Sequence, residues 1–223
     1  WGPKCVDRFN GMFAFALWDA RTSRLFLARD RYGIKPLYYR WDGHTLLFGS
    51  EIKSILQHPA VRVNVDPNAL SEYFTFQNVL SDRTLFDGIK LLPRATMLTL
   101  TAGEPASFST KRWWDYQFVD EQGVPEAEYL EELDRLFRQA VDRQVQADVE
   151  VGTYLSGGID SGAVTCLTAR AHRNVKSFTA GFDLSSASGL ELAFDERAKA
   201  EQLSAAYKTE HYQVVLKAGD MER

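Results

Sequence analysis

Cysteine is nearly absent: the 223 residues hold two, Cys5 and Cys166, far apart and in no C-x-x-C pair. That rules out a multi-disulfide scaffold and zinc-ligand spacing; it suits a reducing cytosol, with one disulfide still compatible. No N-x-[ST] sequon occurs. The longest apolar run, Met12 to Trp18, falls far short of the roughly 18 residues a membrane helix needs. There is no basic excess either, since 30 acidic against 26 basic side chains give a net charge of −4, the wrong sign for a general nucleic-acid or acidic-membrane binder. Neither an internal repeat nor a low-complexity tract is present, and no charged-then-apolar leader follows Trp1, so the chain is expected to begin inside a longer one. What is present is ordinary globular composition, 45% hydrophobic and 25% charged, long enough to bury about 70% of its unfolded surface without staples.

The first half reads as strands. Met12–Trp18 is predicted as a buried strand returning through Leu25–Ala28, and Leu37–Trp41 with Leu46–Gly49 as a hairpin around Asp42-Gly43. Short helices are expected at Ile52–Gln57 and from an Asp66 cap, with Pro67 in the first helical position, to about Phe74. Pro93–Leu100 is a further strand. Residues 117–125 are polar, with Gly123 and Pro125, and read as a linker. Beyond it Glu126–Gln146 keeps helical spacing in Tyr129, Leu130, Leu133, Leu136, Phe137, Ala140 and Val141. Strand then alternates with helix: Val151–Leu155, Ser161–Ala171, Val175–Phe182, Phe194–Tyr207, His211–Leu216. That alternation predicts βαβ units and a parallel sheet, hence an α/β chain. Three parallel strands leave bare edges, so more chain is expected at this end too.

The most informative stretch is Tyr154-Leu155-Ser156-Gly157-Gly158-Ile159-Asp160-Ser161-Gly162, leaving a predicted strand and opening a predicted helix. Adjacent glycines let backbone approach a ligand, and free amides at a helix N-terminus face an anion. Ser156 and Ser161 add hydroxyls; Asp160 would repel bare phosphate but suits a Mg²⁺ bridging phosphates. It is no Walker loop, because Gly158 stands where lysine is needed, nor a G-x-G-x-x-G fingerprint. Two glycines alone fit a plain strand-to-helix turn equally well.

The whole string Ser-Gly-Gly-Ile-Asp-Ser resembles the pyrophosphate loop of the ATP pyrophosphatases. In the first half, Arg29-Asp30-Arg31-Tyr32-Gly33-Ile34-Lys35-Pro36-Leu37-Tyr38 by itself reads as a charged turn, yet it resembles the R-D-x-x-G-x-x-P-L-Y segment of class II glutamine amidotransferases. Asn10–Asp19 and Gly49–Leu56 resemble the flanking segments. A glutaminase before an S-G-G-x-D-S loop is similar to the glutamine-hydrolysing asparagine synthetase family. The resemblance implies an α+β N-terminal-nucleophile glutaminase part at 1–116, the linker 117–125, and the start of a Rossmann-like parallel α/β ATP-pyrophosphatase domain at 126–223. It implies that glutamine supplies ammonia and that ATP with Mg²⁺ activates aspartate as β-aspartyl-AMP. By the same resemblance Asp30 binds the ammonium of glutamine. ATP contacts are implied for Leu155, Ser156, Gly157, Gly158, Ile159, Asp160, Ser161 and, in the next strand, Ala180, with Asp160 also toward Mg²⁺.

The family nucleophile, an N-terminal cysteine acting with its own α-amine, has no match here; Cys5 and Cys166 read as small buried hydrophobes. No catalytic residue is therefore assigned, and the nucleophile is expected upstream. His44, His58, His172 and His211 suggest no triad. Alternatives are a relative that amidates another carboxylate or makes a β-lactam, and a non-catalytic truncated nucleotide-binding protein. Glutamine, ATP and aspartate or another acid are the expected partners, with a homodimer among the expected assemblies and without nucleic acid or membrane, in the cytoplasm; in the truncated-protein reading a dimer would cover the bare sheet edges.

Overall fold

The computed structural model describes residues 1–103, 107–119, 123–183, 195–217 and 220. The chain divides into two compact units, Trp1–Val119 and Asp120–Arg223.

The first unit holds two antiparallel sheets. Strands β1 (Ala14–Asp19), β2 (Arg24–Arg29), β6 (Thr96–Thr101) and β7 (Ser107–Arg112) pair in the order β1-β2-β6-β7. Strands β3 (Tyr38–Trp41), β4 (Leu46–Gly49) and β5 (Lys90–Leu91) pair as β4-β3-β5. β2 is interior and apolar on both faces, so its alternating side chains feed two cores. Leu27 joins Leu98 with Leu37, Tyr39 and Leu92, which brings residues of both sheets together. Phe26 and Ala28, on the other face, join Val6, with Cys5, Phe13, Phe15 and Trp113 packed around them. Helix α1 spans Ile52–Leu56 and α2 spans Pro67–Phe76; Asp66 caps α2 by accepting from the N–H groups of Asn68 (2.9 Å) and Ala69 (3.2 Å). Gly43 sits at φ +97, and the Asp42 carboxylate accepts from His44 and Thr45 N–H, which fixes the predicted hairpin turn.

Two expectations change here. Most of the Met12–Trp18 segment lies in the edge strand β1, which among the described residues pairs with β2 alone, and Leu17 and Trp18 are more than half exposed rather than buried. Strands β5 and β7 were not predicted; the first is two residues long, and the second, Ser-Phe-Ser-Thr-Lys-Arg, carries a single apolar side chain.

The second unit starts with α3 (Glu126–Gln144), followed by β8 (Gly152–Tyr154), α4 (Ile159–Ala171), β9 (Lys176–Phe182), α5 (Arg197–Tyr207) and β10 (Glu210–Leu216). The three strands are parallel in the order β10-β9-β8, as the alternation predicted. Phe194, the predicted start of α5, lies outside the described residues. Thr153 of β8 accepts from the Thr165 hydroxyl of α4 (3.0 Å), so this face of the sheet carries the helices. On the opposite face Phe178 and Tyr212 stack at 5.4 Å, both partly exposed. α3 keeps its predicted spacing, but only Val141 on it is buried, and Leu130, Leu133 and Leu136 stand exposed.

Candidate functional site

In the first unit the candidate is the turn after β2. Asp30 is 1% exposed, and its carboxylate accepts four backbone N–H bonds. Oδ1 takes Tyr32 (3.1 Å) and Ile34 (3.0 Å); Oδ2 takes Phe13 (3.2 Å) and Lys35 (3.0 Å). Burial alone would raise this carboxyl, but the backbone donors outweigh it and hold it below the ordinary carboxylate value. Arg29, also buried, does the reverse: its guanidinium donates to the carbonyls of Lys35 (2.8 Å), Leu92 (2.6 Å) and Gly33 (2.5 Å). Gly33 has φ +67, and a Cβ there would lie 3.0 Å from Arg29 Cζ, so the glycine is required both by conformation and by space. The Arg-Asp pair thus folds the loop on itself. Both Asp30 oxygens thus accept from backbone N–H groups around the turn.

In the second unit the turn between β8 and α4 carries the glycine loop. Leu155 is buried; its N–H donates to the Phe178 carbonyl (2.8 Å), and its own carbonyl accepts from the Thr179 hydroxyl, which ties the loop to β9. Two serines shape the rest. Ser156 N–H donates to Ser161 Oγ (3.1 Å), the two hydroxyls lie 2.8 Å apart, and Gly158 N–H donates to Ser156 Oγ (3.2 Å). The helix's first internal bond is Gly162 N–H to the Gly158 carbonyl (3.1 Å). The N–H groups of Ile159, Asp160 and Ser161 precede it, so they have no intrahelical acceptor and form an anion-favouring terminus. A Cβ on Gly157 would meet Lys199 Cβ at 2.8 Å and Glu196 Cβ at 3.2 Å, so this glycine lets α5 approach the loop.

A cleft of about 180 Å³ opens beside the loop, lined in part by Leu155, Ser156, Phe178, Ala180, Asp195 and Glu196. The structure therefore brings three of the expected residues, Leu155, Ser156 and Ala180, onto one cavity. Gly157, Gly158 and the half-buried Ser161 form the loop's frame. Ile159, 86% exposed, and the exposed Asp160 sit on the first turn of α4. At the cleft rim Arg197 pairs with Asp195 through two bonds (2.8 and 2.7 Å), and that side-chain bond holds the Asp195 carboxyl below its usual range. Sequence reasoning missed Arg197 and Lys199, because only the packing of α5 brings them to a loop far away in sequence. It assigned His211 no role; the ring accepts or donates at Nδ1 to buried Ser177 (2.8 Å) in a hydroxyl network that also holds Thr209.

The first unit thus carries the Arg29–Asp30 turn between its sheets, and the second sets a serine-glycine loop beside a parallel sheet. Residues 1–114 match the family model for a glutamine amidotransferase domain, and residues 132–223 match that for asparagine synthase. The chain belongs to the glutamine-hydrolysing asparagine synthetase family. It is 41% identical over 172 residues to asparagine synthetase [glutamine-hydrolyzing] 3 of Bacillus subtilis, covering 76% of this chain and 27% of that protein. It is 33% identical over 213 residues to a putative asparagine synthetase of Mycobacterium tuberculosis, covering 93% and 32%. A third relative, from Methanocaldococcus jannaschii, is 30% identical over 226 residues, covering 99% and 42%. The chain thus spans between about a quarter and two fifths of the length of these relatives.

Proposed function

We propose that the protein carrying this chain makes asparagine from aspartate, with ammonia from glutamine and activation by ATP. The observation that carries the reading is the Ser156–Ser161 loop set beside a cleft in a chain whose halves match a glutamine amidotransferase and an asparagine synthase. Leu155 and Ala180 form the apolar wall against which the base would rest. Ser156, Gly157, Gly158 and the free N–H groups at the start of α4, Ile159 to Ser161, receive the polyphosphate. Asp160 is exposed and makes no ion pair with any described residue, so it fits a Mg²⁺ held by one carboxylate together with phosphate oxygens. Bound there, the ion would neutralise charge on the polyphosphate. The acceptor carboxylate attacks the α-phosphorus, the α–β bond breaks, and pyrophosphate leaves with the bond's electron pair; ammonia then displaces AMP.

In the first unit Arg29 and Asp30 hold the turn of the glutamine-hydrolysing half, and Asp30 is the residue proposed to lie beside the ammonium of glutamine. Among the described residues no helix is long and apolar enough to cross a membrane, and action in the cytoplasm is proposed with the reaction. The test is product analysis with the full-length protein. Glutamine, aspartate and ATP should yield equal asparagine, AMP and pyrophosphate; product from another acid alone would move the assignment to a different acceptor, and ADP in place of AMP would overturn it.

A further inference from the structure

The glycine loop has no basic residue of its own, and Gly158 occupies the place where a phosphate-loop lysine would stand. The carboxylates nearest it, Asp160 on the first turn of α4 and Glu196 at the cleft rim, add negative charge where a polyphosphate would lie. Arg197 does not offset them, since both of its bonds go to Asp195. Lys199 is different. A Cβ built on Gly157 would lie 2.8 Å from Lys199 Cβ and 2.9 Å from Cδ, so most of the lysine stem runs along the loop backbone. The residue is exposed and has no hydrogen bond or ion pair with any described residue. Gly157 is the residue that permits this approach, because any side chain there would occupy the space of the lysine stem. We propose that Lys199 is a phosphate-binding residue of the nucleotide site, delivered across the loop by α5 in place of a lysine within the loop; the inference rests on the ATP reading above. A lysine ammonium acts toward phosphate as a flexible point charge, so arginine should serve nearly as well and an uncharged side chain should not.

The experiment is calorimetric titration of the full-length protein with ATP and, separately, with adenosine, for wild type, Lys199→Met and Lys199→Arg. Lys199→Met is expected to weaken ATP about tenfold, with adenosine unchanged and Lys199→Arg within about threefold of wild type. Wild-type affinity for ATP in Lys199→Met would overturn the assignment, as would equal losses for ATP and adenosine, which mark a structural role. A wild-type protein that binds no ATP would instead overturn the nucleotide reading itself, and the lysine assignment with it.

Discussion

Asp30 and Arg29 show how a charged pair can be spent wholly on backbone. Asp30 accepts four N–H groups and Arg29 donates to three carbonyls, so neither can be replaced isosterically. In Asp30→Asn the amide nitrogen, in either orientation, faces two N–H donors; the expected loss is on the order of 3 kcal/mol in chemical denaturation. The pH dependence follows from the depressed carboxyl: its folded value lies below the unfolded value of about 4. Its stabilisation is therefore complete above about pH 4 to 5 and is lost as pH falls through the lower, folded value. Denaturation midpoints should fall on the acid side of this window in wild type and fall less steeply in Asp30→Asn. In the second unit Gly157→Ala would place a methyl within 2.8 Å of Lys199 Cβ, an atom fixed to the α5 backbone. That variant should lose nucleotide binding along with about 1–3 kcal/mol of stability, read by titration and thermal melts.

Elements whose pattern is local were legible in the sequence. The Asp66-Pro67 start of α2, the Asp42-Gly43 hairpin and the β8-α4-β9-α5-β10 alternation each depend on neighbours a few residues apart, and each stands as read. The glycine loop belongs with them, because the serine bonds that shape it span at most five residues. Burial was less legible, since it depends on what lies alongside. An edge position leaves the apolar β1 half exposed, and the α3 stripe has the spacing of a buried face while remaining exposed. The cap that Asp30 forms was only partly legible: three of its amides are two to five residues ahead, but that of Phe13 lies 17 residues back and is brought in by strand pairing. At this scale the interior strand β2 carries the first unit. Leu27→Ala there removes a fully buried side chain from the larger core cluster and should cost about 3 kcal/mol, measured by urea unfolding.

For the whole molecule, the match to a glutamine amidotransferase domain and the match to asparagine synthase fall on different compact units. Damage to one should leave the other working. Asp160→Ala in the full-length protein is expected to abolish ATP–pyrophosphate exchange while leaving glutamine hydrolysis within about twofold of wild type; loss of both activities would argue against this division. The second unit also presents much apolar surface, with the α3 stripe and the Phe178–Tyr212 face exposed and, among the described residues, β8 and β10 at the sheet edges. The 223-residue chain alone should therefore self-associate in sedimentation velocity, and Leu133→Glu should shift it toward monomer. One bond in the first unit sets an order on how the molecule comes into being. The buried guanidinium of Arg29 donates to the carbonyl of Leu92, 63 residues further along. While a ribosome is still adding those residues, at about 5–20 per second, the arginine has no carbonyl at the far end to receive it, and the strands already made cannot close over it. The N-terminal half must stay open for several seconds, and its apolar β2 is then the stretch that a nascent-chain chaperone would hold.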